Sequence, residues 1–246
     1  MKLNFEGLTA VVFGGSKGIG AQIVKQLSAE GATVYFCGRN LQAVEFQLSK
    51  LKEHDPAAKI TGTVIDINEA EDVNNWLASI GNINIAISCV SALSPDWATS
   101  LKTDIRGTIN VTEAVMPYLL KAENASFTWI GSKASSFVTP GFESYGASKA
   151  AMVHYIKTTA AKYTSDGVRI NIVSPGDTFV EDGFWGQIKK DAPEIYESTV
   201  SSNPLKRLAT PEEVASVAVF IASPKASFVS GANWHVDGGA TAHITL

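Results

Sequence analysis

The chain has 246 residues, 45% of them apolar and 18% charged, which is enough for a buried core and far from the composition of a disordered segment. A net charge of -4 offers no broad basic surface to nucleic acid or an anionic membrane. No run approaches the roughly 18 apolar residues of a bilayer span, and the charged start Met1-Lys2-Leu3-Asn4 lacks a signal-peptide pattern, so a cytoplasmic protein with no membrane partner is expected.

The order of elements is legible from the spacing of apolar residues. Short apolar runs at 8–13, 33–37, 60–65, 83–88, 126–130 and 168–173 read as buried strands, with amphipathic stretches between them. Regular β-α alternation predicts a parallel sheet with right-handed crossovers and helices on both faces. No linker or low-complexity stretch interrupts it, so residues 1–246 are expected to form one domain. Such a sheet binds ligands beyond the carboxyl ends of its strands, and candidate functional residues are sought there.

Directly after the first run comes Gly14-Gly15-Ser16-Lys17-Gly18-Ile19-Gly20, followed by a helix whose Ile19, Ile23 and Leu27 share one face. Glycines let the chain turn tightly and approach a pyrophosphate, whose charge a helix N-terminus favours. At the end of the second strand, a carboxylate would hydrogen-bond an adenosine ribose and repel a 2'-phosphate. Here the strand ends Gly38-Arg39-Asn40; with Lys17 and Arg39 as cations and no opposing carboxylate, NADP(H) is the expected cofactor. Tyr145 and Lys149 are four apart and fall on one face if their segment is helical. An ammonium one turn from a phenol favours the phenolate, so that the pair can give or take a proton. Ser132 lies thirteen residues before Tyr145, at a strand's carboxyl end, where its hydroxyl can orient a substrate oxygen, and position alone does not separate it from the nearby Ser135 and Ser136. The two cysteines, Cys37 and Cys89, end two different strands and are read as core thiols, and the four histidines show no metal-ligand spacing, so no metal is expected.

These residues together resemble the short-chain dehydrogenase/reductase family of the classical type. The glycine loop has the family's Gly-x-x-x-Gly-x-Gly spacing, with Phe13 where a threonine is usual, and Ser132, Tyr145 and Lys149 stand at the family's catalytic spacing. The resemblance extends through Ser174-Pro175-Gly176-Asp177-Thr178 and Thr210-Pro211-Glu212-Glu213 to Val236-Asp237-Gly238-Gly239. It implies a single Rossmann-like, doubly wound sheet of about seven strands. It further implies an NADP(H)-dependent enzyme acting on a small, mostly apolar ketone, aldehyde or alcohol, with Tyr145 as proton donor, Ser132 orienting the oxygen and Lys149 holding the nicotinamide ribose. Asp66 and Ile67 match the family's adenine-contacting pair, Ser88 offers its backbone to the ribose, and Pro175, Gly176 and Thr178 form the turn beside the nicotinamide. A homotetramer or dimer is implied, with residues 241–246 near a subunit contact, and residues 180–203 covering the substrate as a helical lid, their aromatic and charged residues also fitting amphipathic packing or a subunit contact.

Two departures stand out. Ser88-Cys89-Val90-Ser91 replaces the family's Asn-Asn-Ala-Gly, and Asp104 replaces a helical asparagine that holds a relay water near the lysine. Asp104 is therefore an expected fourth catalytic partner, either against Lys149 or paired with Arg106 or a backbone amide. The stretch from Ser88 to Asp104 is short for the family, which cuts down one wall of the substrate site. These departures also admit an alternative: a catalytically weak, NADP(H)-binding regulator or scaffold on the same fold.

Overall fold

A computed structural model describes residues 2–241. The apolar runs become strands β1 (Thr9–Phe13), β2 (Thr33–Gly38), β3 (Ile60–Val64), β4 (Ile85–Ser88), β5 (Ser126–Ile130) and β6 (Arg169–Pro175), joined by β7 (Asn233–Val236). All pair in parallel in the order β3-β2-β1-β4-β5-β6-β7, so the winding reverses between β1 and β4. Between the strands run α1 (Gly18–Ala29), α2 (Leu41–His54), α3 (Ala70–Ile80), α4 (Trp97–Ser100), α5 (Thr108–Leu119), α6 (Glu143–Tyr163), α7 (Phe184–Asp191), α8 (Pro193–Ser202) and α9 (Pro211–Ala222).

Strands covered on both faces need apolar residues at every position, which is why their runs are continuous rather than alternating. Val11, Phe13, Phe127, Trp129 and Ile172 face one core with Trp76, Val115, Met152 and Ile156 of the helices. Ala10, Val12, Val34, Phe36 and Ile87 face the other, packed on Ile23, Leu27, Val214 and Val219. α1 and α9 thus cover one side, and α3, α5 and α6 the other.

Helix ends follow local chemistry. Thr210 and Glu213 form a reciprocal capping box at the start of α9, with Pro211 in the first turn. At the other end of that helix Arg169 reaches from β6 and donates to the carbonyls of Ile221, Ala222, Ser223 and Ala226 at 2.8–3.1 Å. The guanidinium satisfies carbonyls that have no intrahelical partner and suits the negative end of the helix.

The sixth strand runs two residues past the apolar run at 168–173, to Pro175, which pairs with Val236. Proline donates nothing, but Gly176 N–H supplies the next bond to the Val236 carbonyl at 2.9 Å. β7 itself is half-exposed, so no buried run announces it. Residues 242–246, and with them most of the tail expected near a subunit contact, lie outside the described residues. Among the described residues no helix is long and apolar enough to cross a membrane.

Candidate active site

At the reversal point between β1 and β4, the carboxyl ends of four strands open into a cavity of about 400 Å3. Six of the expected cofactor residues line it: Gly14, Ser16, Lys17, Arg39, Asn40 and Ile67. The glycine loop is tied to the neighbouring strand, with Gly14 and Gly15 N–H both donating to the Cys37 carbonyl at 3.0 and 2.9 Å. A Cβ on Gly20 would stand 1.9 Å from the Gly14 carbonyl oxygen, so only glycine lets the first turn of α1 close on the loop. Gly38 explains the missing carboxylate of β2: a Cβ there would meet Ser16 Oγ at 2.6 Å. Lys17 and Arg39 are exposed at the rim, and among the described residues neither joins an ion pair.

The remaining cofactor candidates are more dispersed. Asn40 caps α2, its Oδ1 accepting from Ala43 N at 2.8 Å. One Asp66 oxygen accepts from the Asn68 backbone and side chain at 3.0 and 2.8 Å, which shapes the loop. Ile67 is fixed through its carbonyl, which accepts from Asn110 Nδ2 at 3.1 Å. Ser88 is fully buried, and its Oγ has no hydrogen-bond partner among the described residues. Gly18 and Ile19 lie in the first turn of α1, whereas Pro175, Gly176 and Thr178 follow β6 and do not line this cavity. The glycine cradle and the two rim cations fit a dinucleotide carrying phosphate charge.

Beyond the reversal point the charged groups Lys149 and Asp104 are buried and paired. Tyr145 and Lys149 lie in the first two turns of α6, as their spacing predicts. Lys149 is 1% exposed, with Nζ 4.9 Å from the Trp129 ring centroid and 5.5 Å from that of Tyr145. Ser132 follows β5 and caps a short turn, its Oγ accepting from Ala134 N at 3.1 Å. That bond uses a lone pair and leaves the hydroxyl proton to donate.

Asp104 lies in the middle of a π-helical segment, Leu101–Gly107, between α4 and α5, and has no solvent exposure. π segments of this kind recur at functional sites. Gly107 ends the segment where a Cβ would meet Ile67 Cδ1 at 2.7 Å. Of the partners open to Asp104, the structure selects Lys149, whose Nζ is 3.3 Å from Oδ1, together with the Ala92 amide, 3.3 Å from Oδ2; Arg106 makes no ion pair with it. Ser91 Oγ donates to Oδ1 at 2.6 Å. Cys89 sits beside this group, where burial pushes its thiol up to about 12 against the pull of the Lys149 charge.

Sequence reasoning overlooked three residues here. Ser91 stands where the family has glycine, and that substitution was its only signal. Lys133 and Asp177, next to Ser132 and Gly176, form an ion pair across the ends of β5 and β6 with side chains 19% and 13% exposed. The surroundings of Ser132 are therefore not uniformly apolar. The 180–203 segment folds into α7 and α8, and Phe184 packs edge-on against Phe142, just before α6, at 5.4 Å. Among the described residues no cluster of three or more His, Cys, Asp or Glu is placed to hold a metal.

A parallel doubly wound sheet with a glycine cradle at its reversal point defines a dinucleotide-binding α/β protein. Residues 14–241 match the family model described as enoyl-(acyl carrier protein) reductase. The chain is 34% identical to isoepoxydon dehydrogenase of Penicillium expansum over 95% of each chain. It is 28% identical to the 3-oxoacyl-[acyl-carrier-protein] reductase of Thermotoga maritima, over 96% of this chain and 99% of that one. The NADPH-bound structure of a Pseudomonas aeruginosa short-chain oxidoreductase, described as containing an atypical catalytic center, superposes with a TM-score of 0.88 at 26% identity, over 96% and 98% of the two chains. The chain belongs to the short-chain dehydrogenase/reductase family, whose members are nicotinamide-dependent oxidoreductases acting on alcohol and carbonyl groups.

Proposed function

We propose that this protein is an NADP(H)-dependent carbonyl reductase, working in reverse as an alcohol dehydrogenase, on a small and mostly apolar substrate. The observation that carries the reading is the buried Lys149 one helical turn from the half-buried Tyr145, with Ser132 at the end of a nearby strand. Lys17 and Arg39, beside a Gly38 that carries no carboxylate, support NADP(H) over NAD(H).

When bound, the nicotinamide supplies or accepts the hydride. The chain's own groups handle the oxygen and its proton. Ser132 donates its hydroxyl proton to the carbonyl oxygen and fixes its direction. The Tyr145 hydroxyl gives its proton to that oxygen as the alcohol forms, and takes it back in oxidation. Lys149 places a positive charge beside the phenol and would hold the nicotinamide ribose. Ser88, through its backbone, together with Asp66, Ile67 and the Pro175-Gly176-Thr178 turn, would hold the remainder of the cofactor. Phe142 and Phe184 join the 180–203 helices to the start of α6, a contact that would let them cover a substrate and exclude water. Lys133 and Asp177 add one polar spot beside Ser132, suited to a substrate with a second oxygen near its carbonyl.

The protein is further read as one cytoplasmic domain that assembles as a homotetramer or dimer. The rival reading, a catalytically weak NADP(H)-binding regulator, draws on Asp104 and Ser88-Cys89-Val90-Ser91. Retention of Ser132, Tyr145 and Lys149 weighs against it, since binding alone has no use for all three. The test is NADPH consumption against a panel of ketones, aldehydes and quinones, with Tyr145→Phe as control. Turnover by the wild type that collapses in the variant supports the enzyme. Tight NADPH binding without turnover on any of them supports the regulator.

A further inference from the structure

Where β5 and β6 end, a charged pair stands next to Ser132. Lys133 follows that serine directly and opens the short turn that Ser132 caps. Asp177 lies two residues past the end of β6. Both are held from several sides. Gly131 N–H donates to the Val173 carbonyl at 2.7 Å, which carries the β5–β6 pairing up to Ser132, and the Asp177 carbonyl accepts from Ala209 N at 2.9 Å. Lys133 Nζ lies 5.4 Å over the Phe137 ring and pairs with Asp177 Oδ2. The two side chains are 19% and 13% exposed, so the pair is mostly dry but keeps an open side. Its hydrogen-bonding capacity is largely unspent. Among the described residues the contact between Nζ and Oδ2 is the only hydrogen bond that either charged group makes, whereas an ammonium has three donors and a carboxylate about four acceptor sites. Charges taken this far out of water are costly until those remaining bonds are met.

Resting on the carbonyl-reductase reading above, we propose that Lys133 and Asp177 form a hydroxyl-reading subsite, and that the substrate is a hydroxyketone, or a diol in the oxidative direction. Its skeleton is otherwise apolar. Charge decides the class. The pair has no net charge, so a carboxylate loses at Asp177 what it gains at Lys133, and an ammonium does the reverse. A hydroxyl suffers neither loss: its oxygen accepts from Lys133 Nζ while its proton goes to the Asp177 carboxylate, and both bonds are charge-assisted. Ser132 and Lys133 are consecutive, and the Phe137 ring and Asp177 hold Nζ at the strand ends, so the two substrate oxygens they read lie within a few bonds of each other. A ketone without the hydroxyl leaves both charges short of partners, and a site built to hydrogen-bond a hydroxyl discriminates against the analogue that lacks it.

The experiment measures kcat/KM of the full-length protein with NADPH for 2-hydroxycyclohexanone and 3-hydroxycyclohexanone against cyclohexanone. The wild type should favour the better hydroxyketone about 10- to 100-fold, the scale of a hydrogen bond to a charged group expressed as a rate ratio. In Lys133→Met/Asp177→Leu, which removes both charges together and leaves neither unpaired, the preference should shrink to about threefold or less. Asp177→Asn, which keeps an acceptor, should hold an intermediate preference. A pair that only clasps the two strand ends would lower turnover of all three ketones alike in the double variant and leave the ratio untouched. That outcome, or a wild type that turns the ketones over without preference, overturns the subsite. Calorimetric titration of the NADP+ complex with cyclohexane-1,2-diol, cyclohexane-1,3-diol and cyclohexanol reads the same subsite without turnover. One of the diols should bind roughly tenfold more tightly than cyclohexanol in the wild type and no more tightly in the double variant. Equal or undetectable binding of the diols in the wild type overturns the proposal. A wild type inert on every ketone but selective for a diol would sink the reductase reading and keep the subsite.

Discussion

The two halves of the crevice handle charge in opposite ways. Around the glycine loop, Lys17 and Arg39 are exposed cations without a carboxylate partner among the described residues, and the surface is largely backbone. Across the reversal point, Lys149 is buried against Asp104, and the partly exposed Lys133 is paired with Asp177. The difference separates two physical tasks. Capturing a phosphorylated ligand calls for cations that remain available at the rim, where counter-charge comes with the ligand. Proton chemistry calls for groups held in place away from water, where each buried charge needs a compensating partner.

The contrast can be broken first at the buried half. Tyr145→Phe should lower kcat by about 10^2- to 10^4-fold with NADPH affinity preserved, since it removes only the transferable proton; steady-state kinetics and cofactor titration check this. Lys149→Met should be the most damaging to stability, by about 3–5 kcal/mol in urea unfolding, because Asp104 is left as an unpaired buried carboxylate. Pairing it with Asp104→Leu should recover much of that stability and none of the activity. At the open half, Arg39→Ala should raise KM for NADPH by about 10- to 100-fold, the worth of a charge-assisted hydrogen bond, and leave KM for NADH nearly unchanged. Equal losses for both cofactors would remove the case for NADP(H).

The smallest effect is expected at an exposed pair remote from both halves. Arg207 forks onto Glu213 at 2.7 and 2.6 Å, and that contact holds the Glu213 carboxyl at about 2, well below its usual 4.5. A depressed folded-state value means the contribution is fully present above pH 4.5 and is lost as pH falls toward 2. Both side chains are widely exposed, so the effect on the melting temperature should be slight and should fade with salt. Thermal melts of Arg207→Ala between pH 2 and 6 check it.

Much of this was legible in the chain itself. The glycine loop, the Tyr145-Lys149 spacing and the capping box at Thr210 are local patterns, and each folded as its spacing predicts. β7 was not, because a half-exposed edge strand has no continuous apolar run. Nor was the π segment, since helical periodicity alone does not signal an added residue in a turn. Ser91 was visible as a departure from the family's glycine, but a serine after a strand has many ordinary uses and no role followed from it. Its significance depends on a carboxylate 13 residues further along the chain.

The sequence by itself determined the β-α alternation, the parallel winding, the glycine loop before α1 and the placing of Tyr145 and Lys149 one turn apart on a helix, because those depend on residue type and short spacing. Only the tertiary structure decided where Asp104 points. That Asp104 takes Lys149 and the Ala92 amide rather than Arg106 turned on how a helix after β4 packs against α6, a contact between segments more than forty residues apart. In a dry interior, the partner that can neutralise the charge at close range prevails.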